Sequence, residues 1–303
     1  YDVIYSLCFH QQIDYVNHYL KNLEKYNINN KYLVIINLSN DLSKVRDKIY
    51  DKNVIIYHKS SNKRIITYDL MNAYIDNYIY LKLLNLKFNN YMLLTSSSRF
   101  VKQISKLEEY KGDIGIFEGG NLCHLKSNWP HTNNFFKNKK IINIFKENKI
   151  DICYNEVVGT IYPEKVFGKI VDFITSNNFK IKIESETVFE EIILPSLYKY
   201  FTNKNLDNSH AYTFRRNRDG FIIPNEKQII SKLNENPKIS IIKRFPEDLN
   251  DVAYYYLDNG HFNIYESYTE KSYKYNYQNI KLFILFAILI ISIFYKKFNF
   301  FMK

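Results

Sequence analysis

The chain has 303 residues, of which 46% are hydrophobic and 17% aromatic, enough to bury a full core and to exclude a mostly disordered polymer. Lysine and arginine outnumber aspartate and glutamate 42 to 31, and the net charge of +11 points to an anionic partner, either phospholipid headgroups or a phosphorylated small molecule, or else to a lysine-rich solvated surface. No arginine-rich arm and no zinc-finger spacing occurs, which argues against nucleic acid, and the three scattered cysteines (Cys8, Cys123 and Cys153) argue against a disulfide framework, with Cys8 and Cys153 expected as core thiols in a reducing compartment.

In chain order, residues 3–8 read as a buried strand and residues 13–26 as a helix with Val16, Leu20 and Leu23 at helical spacing. Residues 32–38 and 54–57 read as further buried strands. Thr67 is a candidate cap for a long helix carrying Leu70, Ala73, Asn77, Leu81 and Leu84 on one face. Residues 91–95 predict a fourth strand, 96–98 a strand-to-helix loop, 101–110 a helix and 112–117 a short strand. Residues 118–149 look irregular. Residues 157–162 predict a strand, and a helix follows from Pro163 to Ile174, where proline suits the first turn. Residues 186–201 have helical periodicity, with Pro195 expected to kink or interrupt them. A polar loop bearing Arg215, Arg216 and Arg218 precedes a helix near 226–233, a strand at 239–243 and a helix near 248–256. This β-α-β-α order predicts an α/β fold: a Rossmann-like, mostly parallel sheet flanked by helices. Ligands are then expected beyond the carboxyl ends of the strands, near His10, Ser39, His58 and residues 96–99.

The tail differs in kind. Residues 282–295 are apolar except for Ser292 and are bracketed by Lys281 and Lys296-Lys297. At about 1.5 Å per residue this run covers roughly two thirds of a hydrocarbon core. Snorkelling lysines and Phe298, Phe300 and Phe301 lengthen it. The expected organisation is a domain over residues 1–260, a polar tyrosine-rich spacer over 261–279, and a C-terminal hydrophobic helix over 280–303. That helix would anchor the protein as a single-pass membrane protein; a buried or interfacial helix is the alternative.

The sequence lacks D-x-D, the acid pair that commonly holds a divalent metal on a diphosphate; Glu184-x-Glu186 is the nearest substitute. There is no Walker loop, dinucleotide fingerprint, H-E-x-x-H or G-x-S-x-G motif. The histidines show no metal-ligand spacing, and His10 stands out only by following the first strand. Lys243-Arg244 ends an apolar strand, where two cations suit a diphosphate or a solvated strand end. Arg215, Arg216 and Arg218 form a second candidate anion site. Glu190-Glu191 opens the run Ile192-Ile193-Leu194-Pro195-Ser196-Leu197. Two acids there suit the positive end of a helix dipole, and a carboxylate backed by apolar residues also suits a general base.

As an ordered set, these pieces resemble the core-2/I-branching β-1,6-N-acetylglucosaminyltransferase family, over most of residues 2–258. Ile4-Tyr5-Ser6-Leu7-Cys8-Phe9-His10 resembles its first strand and histidine. Residues 91–102 are similar to the segment in which its fourth strand ends and a helix begins. Gly159-Thr160 stands at its acceptor-side glycine-serine position. Glu190–Leu197 resembles its acidic helix start, and Ile242-Lys243-Arg244-Phe245 its basic strand end. The resemblance implies a GT-A-like fold and inverting transfer of N-acetylglucosamine or xylose from a UDP-sugar to a glycan or glycoprotein hydroxyl, with no metal or other cofactor. It assigns Glu191 as the catalytic base, with Glu190 its solvated neighbour. It assigns Lys243 and Arg244, with Arg215, Arg216 or Arg218, to the donor diphosphate and His10 and Ser39 to the nucleotide. Gly159 falls on the acceptor side; Glu156 and Trp129 are further acceptor-side candidates, Trp129 because indole rings stack on sugar faces, with a core position as its alternative. Two family acids are replaced: Ser39 and Arg99 stand in their places. A catalytically inactive, membrane-tethered glycan- or protein-binding domain on the same fold is the alternative, and a lipid-surface protein a further one.

Overall fold

In the computed structural model of the chain, the described residues are 1–9, 13–27, 30–38, 53–57, 70–103, 135–179, 188–204, 206, 211–214, 216–217, 220–221, 224–245 and 251–258. All fall within one unit, Tyr1–Asn263. His10, Ser39, His58, Trp129, Arg215 and Arg218 lie outside the described residues, as do the side chain of Arg216, the expected elements at 104–110 and 112–117, and residues 259–303. The expected spacer and C-terminal helix are therefore also outside them. Among the described residues, no helix is long and apolar enough to cross a membrane.

The frame is a five-stranded sheet built from β1 (Val3–Phe9), β2 (Tyr32–Leu38), β3 (Val54–Tyr57), β4 (Asn90–Thr95) and β6 (Ile161–Pro163) in the order β3-β2-β1-β4-β6. The first four strands are parallel, and β6 runs antiparallel to β4. Helices α1 (Ile13–Tyr26) and α2 (Leu70–Leu83) flank this sheet. Strands β1, β2 and β4 are apolar along nearly their whole length because both faces are covered. Ile4, Leu33, Ile35, Tyr91 and Leu93 pack on one side with α2, α4 (Glu164–Ser176) and α5 (Glu190–Thr202). Tyr5, Leu7, Val34, Ile36, Met92 and Leu94 pack on the other with α1, α6 (Glu226–Glu235) and α7 (Val252–Asp258). The chain moves outward from β1 to β3 and then returns to place β4 on β1's other side. The reversal point lies between β1 and β4, where a parallel sheet opens a ligand crevice beyond its carboxyl ends.

A second sheet stands at that end, formed by β5 (Ser98–Phe100), β10 (Ile241–Lys243) and β7 (Ala211–Thr213) in the order β5-β10-β7. Two short strands, β8 (Arg216–Asn217) and β9 (Gly220–Phe221), pair as a separate ribbon. This layer corrects the expected loop after β4 and the start, at residues 101–103, of the expected helix. Residues 98–100 are extended, and Val101 and Lys102 donate their N–H groups to Ser240 O. The reason is a long-range pairing with β10, which no local period reveals. The region expected to be irregular contains α3 (Lys139–Glu147), capped by Asn138 and burying Ile141, Ile142 and Phe145. The expected strand at 157–162 shortens to β6 because Val158 and Gly159 form a turn in which Gly159 takes φ 85°.

Cysteine gives a further correction. Cys8 is a free buried thiol, whereas Cys153 is disulfide-bonded to a partner outside the described residues. Spacing along a chain does not report which sulfurs meet in space. The basis for expecting a reducing compartment is thereby removed.

Candidate active site at the carboxyl edge of the sheet

Pro195 explains how the site is assembled. It lies inside α5, yet the helix runs unbroken past it. A proline in a helix interior lacks the N–H that would bond the carbonyl four residues back, a defect costing about 3 kcal/mol. That carbonyl belongs to Glu191, and the Asn155 N–H takes it at 2.9 Å. Ser196 Oγ accepts from the Cys153 N–H at 2.8 Å, and the Asn155 side chain donates to Leu206 O at 2.9 Å. The segment around residues 153–156 is thus laid against the first turns of α5, with Glu156 brought beside Glu191.

The same segment leads into Gly159, whose N–H donates to Leu93 O at 2.7 Å. Because β6 pairs antiparallel with β4, residues just before β6 project past the carboxyl end of β4. β10 arrives at the same place from the second sheet, with Lys243 opposite Ser98 on one side and Thr213 on the other. The Phe245 N–H then ties the end of β10 to Ser97 O at 2.9 Å.

Here Lys243 Nζ forms an ion pair with Glu156 Oε1, the lysine side chain being 17% exposed and the glutamate 9%. Thr213 Oγ1 donates to the other Glu156 oxygen at 3.3 Å. Glu191 completes the group. Burial, reinforced by the Glu156 charge, pushes its carboxyl well above the usual carboxylate range despite the opposing pull of Lys243. A hydrogen bond between the Glu191 and Glu156 carboxyls acts in the same direction. For Lys243, burial alone lowers proton affinity, but the Glu156 and Glu191 carboxyls outweigh it and the ammonium is held above its ordinary range. The arrangement is therefore a chain of contacts: a Glu191 carboxyl of raised proton affinity lies beside Glu156, and Glu156 is paired with Lys243.

Arg244 follows in the left-handed region at φ 64°, and its guanidinium donates to Phe214 O at 2.6 Å. Among the described residues, the other non-glycine residues with positive φ (Asn85, Lys149, Asn178 and Asn203) follow the ends of α2, α3, α4 and α5. Arg244 instead ends a strand, so its strain falls beside the charged cluster, where strained backbone tends to collect at functional sites.

The structure thus brings Glu191, Glu156, Lys243 and Arg244 into one place and sets Gly159 in the turn beside it. Two readings change. Glu190, expected in solvent, is 2% exposed because the start of α5 is packed on all sides. Glu156, expected to face an acceptor, is bonded to Lys243 and Thr213. Thr213 and Asn155 carry no motif and were not foreseen. The proline four residues after Glu191 was the available signal that a second segment must dock on that carbonyl.

Arg99 is 1% exposed. Its guanidinium donates to Ser96 O at 2.6 Å, Ser98 O at 2.7 Å and the Tyr254 hydroxyl at 3.2 Å. It also lies over the Tyr19 ring at 4.9 Å. Among the described residues, no group of three or more His, Cys, Asp or Glu side chains is placed to hold a metal ion. No protein-family model matches the chain, and no curated protein matches its sequence.

Proposed function

We propose that the chain is an inverting, metal-independent glycosyltransferase acting on a UDP-sugar, with N-acetylglucosamine and xylose the leading donors and a glycan or glycoprotein hydroxyl as acceptor. The observation that carries the reading is the convergence of Glu191, Glu156 and Lys243, from three separate segments, on one buried group at the ligand edge of a parallel sheet. In the reaction, the acceptor oxygen bonds to the anomeric carbon as the bond from that carbon to the diphosphate oxygen breaks. The acceptor proton passes to the Glu191 carboxylate, and the electron pair leaves with the diphosphate. A carboxyl of raised proton affinity is the stronger base once ionised. Lys243 and Arg244 supply preorganised positive charge for the leaving group, the work a divalent metal does elsewhere. Arg215, Arg216 and Arg218 are assigned to the diphosphate, His10 and Ser39 to the nucleotide, and Trp129 and Gly159 to the acceptor side. Residues 280–303 are assigned as the membrane anchor.

The test is turnover of a UDP-sugar panel by the full chain, with and without chelator. Glu191→Gln is expected to lower kcat by about 100-fold or more. The wild-type rate should fall on the acid side at a pH above the ordinary glutamate range. Unchanged turnover in the variant removes Glu191 as base; activity lost in chelator and restored by magnesium removes the metal-free assignment.

Arg99 favours a second reading, a catalytically inactive, membrane-tethered domain that binds a glycan or a protein. Its side chain is committed to Ser96, Ser98 and Tyr254, where the family resemblance expects a free acid. Calorimetry with UDP separates the two, because a scaffold of this kind has no use for the nucleotide.

A further inference from the structure

The ion pair in the site creates a conflict. A lysine bonded to a carboxylate cannot give the same proton to a phosphate oxygen, and a carboxylate bonded to lysine is a poor base. The geometry shows which member can move. Glu156 is fixed twice, by Thr213 Oγ1 on its second oxygen and by the neighbouring Asn155 N–H on Glu191 O. Lys243 has its backbone held by β5 and β7, but its ammonium rides on a flexible four-carbon stem and its side chain is 17% exposed. Among the described residues, the charged groups acting on this ammonium are Glu156 from the segment before β6, Glu191 from the start of α5, and Arg244 from its own strand end. Glu190 acts on Glu191 from the same helix turn.

We propose that Lys243 is a two-position switch: its ammonium is held by Glu156 in the ligand-free protein and is handed to a phosphate oxygen of an incoming nucleoside diphosphate, releasing Glu156 to share the proton of Glu191. The inference rests on the donor-site reading above and adds an order to it. Donor binding removes the ammonium from Glu156, which then draws the shared proton from Glu191, and the Glu191 carboxylate so formed receives the acceptor proton. Without a bound diphosphate Glu156 stays paired with Lys243, so an acceptor arriving first meets no competent base. The handover also has a thermodynamic signature. Removing a cation from two adjacent carboxyls raises their affinity for a second proton, so anion binding draws a proton from solvent on the acid side of the range.

The experiment is calorimetric titration of the full chain with UDP, and separately with inorganic pyrophosphate, in buffers of different ionisation enthalpy across the acid-to-neutral range. Both ligands have a phosphate that ionises in this range and releases a proton in a cationic site, a change common to wild type and variant. Relative to Glu156→Gln, wild-type protein should take up more protons with each anion, by up to about one at the acid end and declining towards alkaline pH. Glu156→Gln keeps the shape but no longer competes for the ammonium, and should bind UDP about tenfold more tightly. Equal proton changes in the two proteins, or a Glu156→Gln protein that binds UDP more weakly, overturns the switch and leaves the donor site standing. Absence of UDP and pyrophosphate binding in both proteins overturns the donor-site reading and the switch with it. Circular dichroism of the variant verifies that it is folded.

Discussion

Two buried cations stand at the same end of the sheet and are treated in opposite ways. Arg99 is surrounded by main-chain carbonyls, a tyrosine hydroxyl and aromatic faces, and among the described residues no carboxylate pairs with it. Lys243, one strand away, is held by Glu156, with Glu191, a carboxyl of raised proton affinity, behind it. Arginine's rigid fork suits fixed acceptors that never change charge, while lysine's flexible stem suits partners that do. The difference teaches that burial of a positive charge is not itself a sign of function. Partners that can change protonation or change places are the better sign, and only Lys243 has them.

Breaking the comparison starts with Lys243→Met, which strands the Glu156 carboxylate. It should destabilise the protein by about 4 kcal/mol near pH 8. The loss should shrink as pH falls, because the abandoned carboxyls escape their penalty by taking protons. Urea unfolding at a series of pH values measures it, and a loss independent of pH would place Lys243 in the same class as Arg99. Arg99→Met should cost about 3 kcal/mol, since Ser96 O, Ser98 O and the Tyr254 hydroxyl lose a charged donor in a buried place. Neither arginine nor those acceptors titrate in the working range, so this loss should be flat from neutral to mildly alkaline pH, below which Arg99 also acts on the His18 imidazole; a steep profile between neutral and mildly alkaline pH would sink the contrast.

Glu191→Gln sharpens the comparison with the smallest effect. The folded protein holds the Glu191 proton more tightly than the unfolded chain does, so its stabilising effect is complete below the ordinary glutamate range. That effect is lost as pH rises towards the raised value. Glutamine has no such loss. The variant's stability relative to wild type should therefore grow by about 1.4 kcal/mol per pH unit within that window. A constant difference measured across it would mean that Glu191 is ionised in the fold.

Much of the sheet was legible because its signals are local. Helix α1 and strands β2 and β3 have the bounds that apolar periodicity predicts, and β1 and β4 each differ by one residue at an end. The covered faces of a parallel sheet make its strands continuous apolar runs, and a run is visible wherever it occurs. The second sheet was not legible in the same way. Ser98–Phe100 has the composition of a loop and becomes a strand only because Ile241–Lys243 lies beside it. Glu191, Lys243 and Arg244 were singled out by type and position. Their meeting with Glu156 was not, since that depends on where the segment before β6 docks.

The sequence by itself determined the alternation of strands and helices, the two acids at the start of α5 and the two cations at the end of β10. It also contained, in the four-residue interval from Glu191 to Pro195, a carbonyl that the helix could not satisfy. Only the tertiary structure decided what satisfies it. The Asn155 N–H does so, and this places Glu156 between Glu191 and Lys243. The physical reason is that a chain's covalent geometry fixes which groups are left wanting a partner, whereas the partner is chosen by packing among segments far apart in sequence.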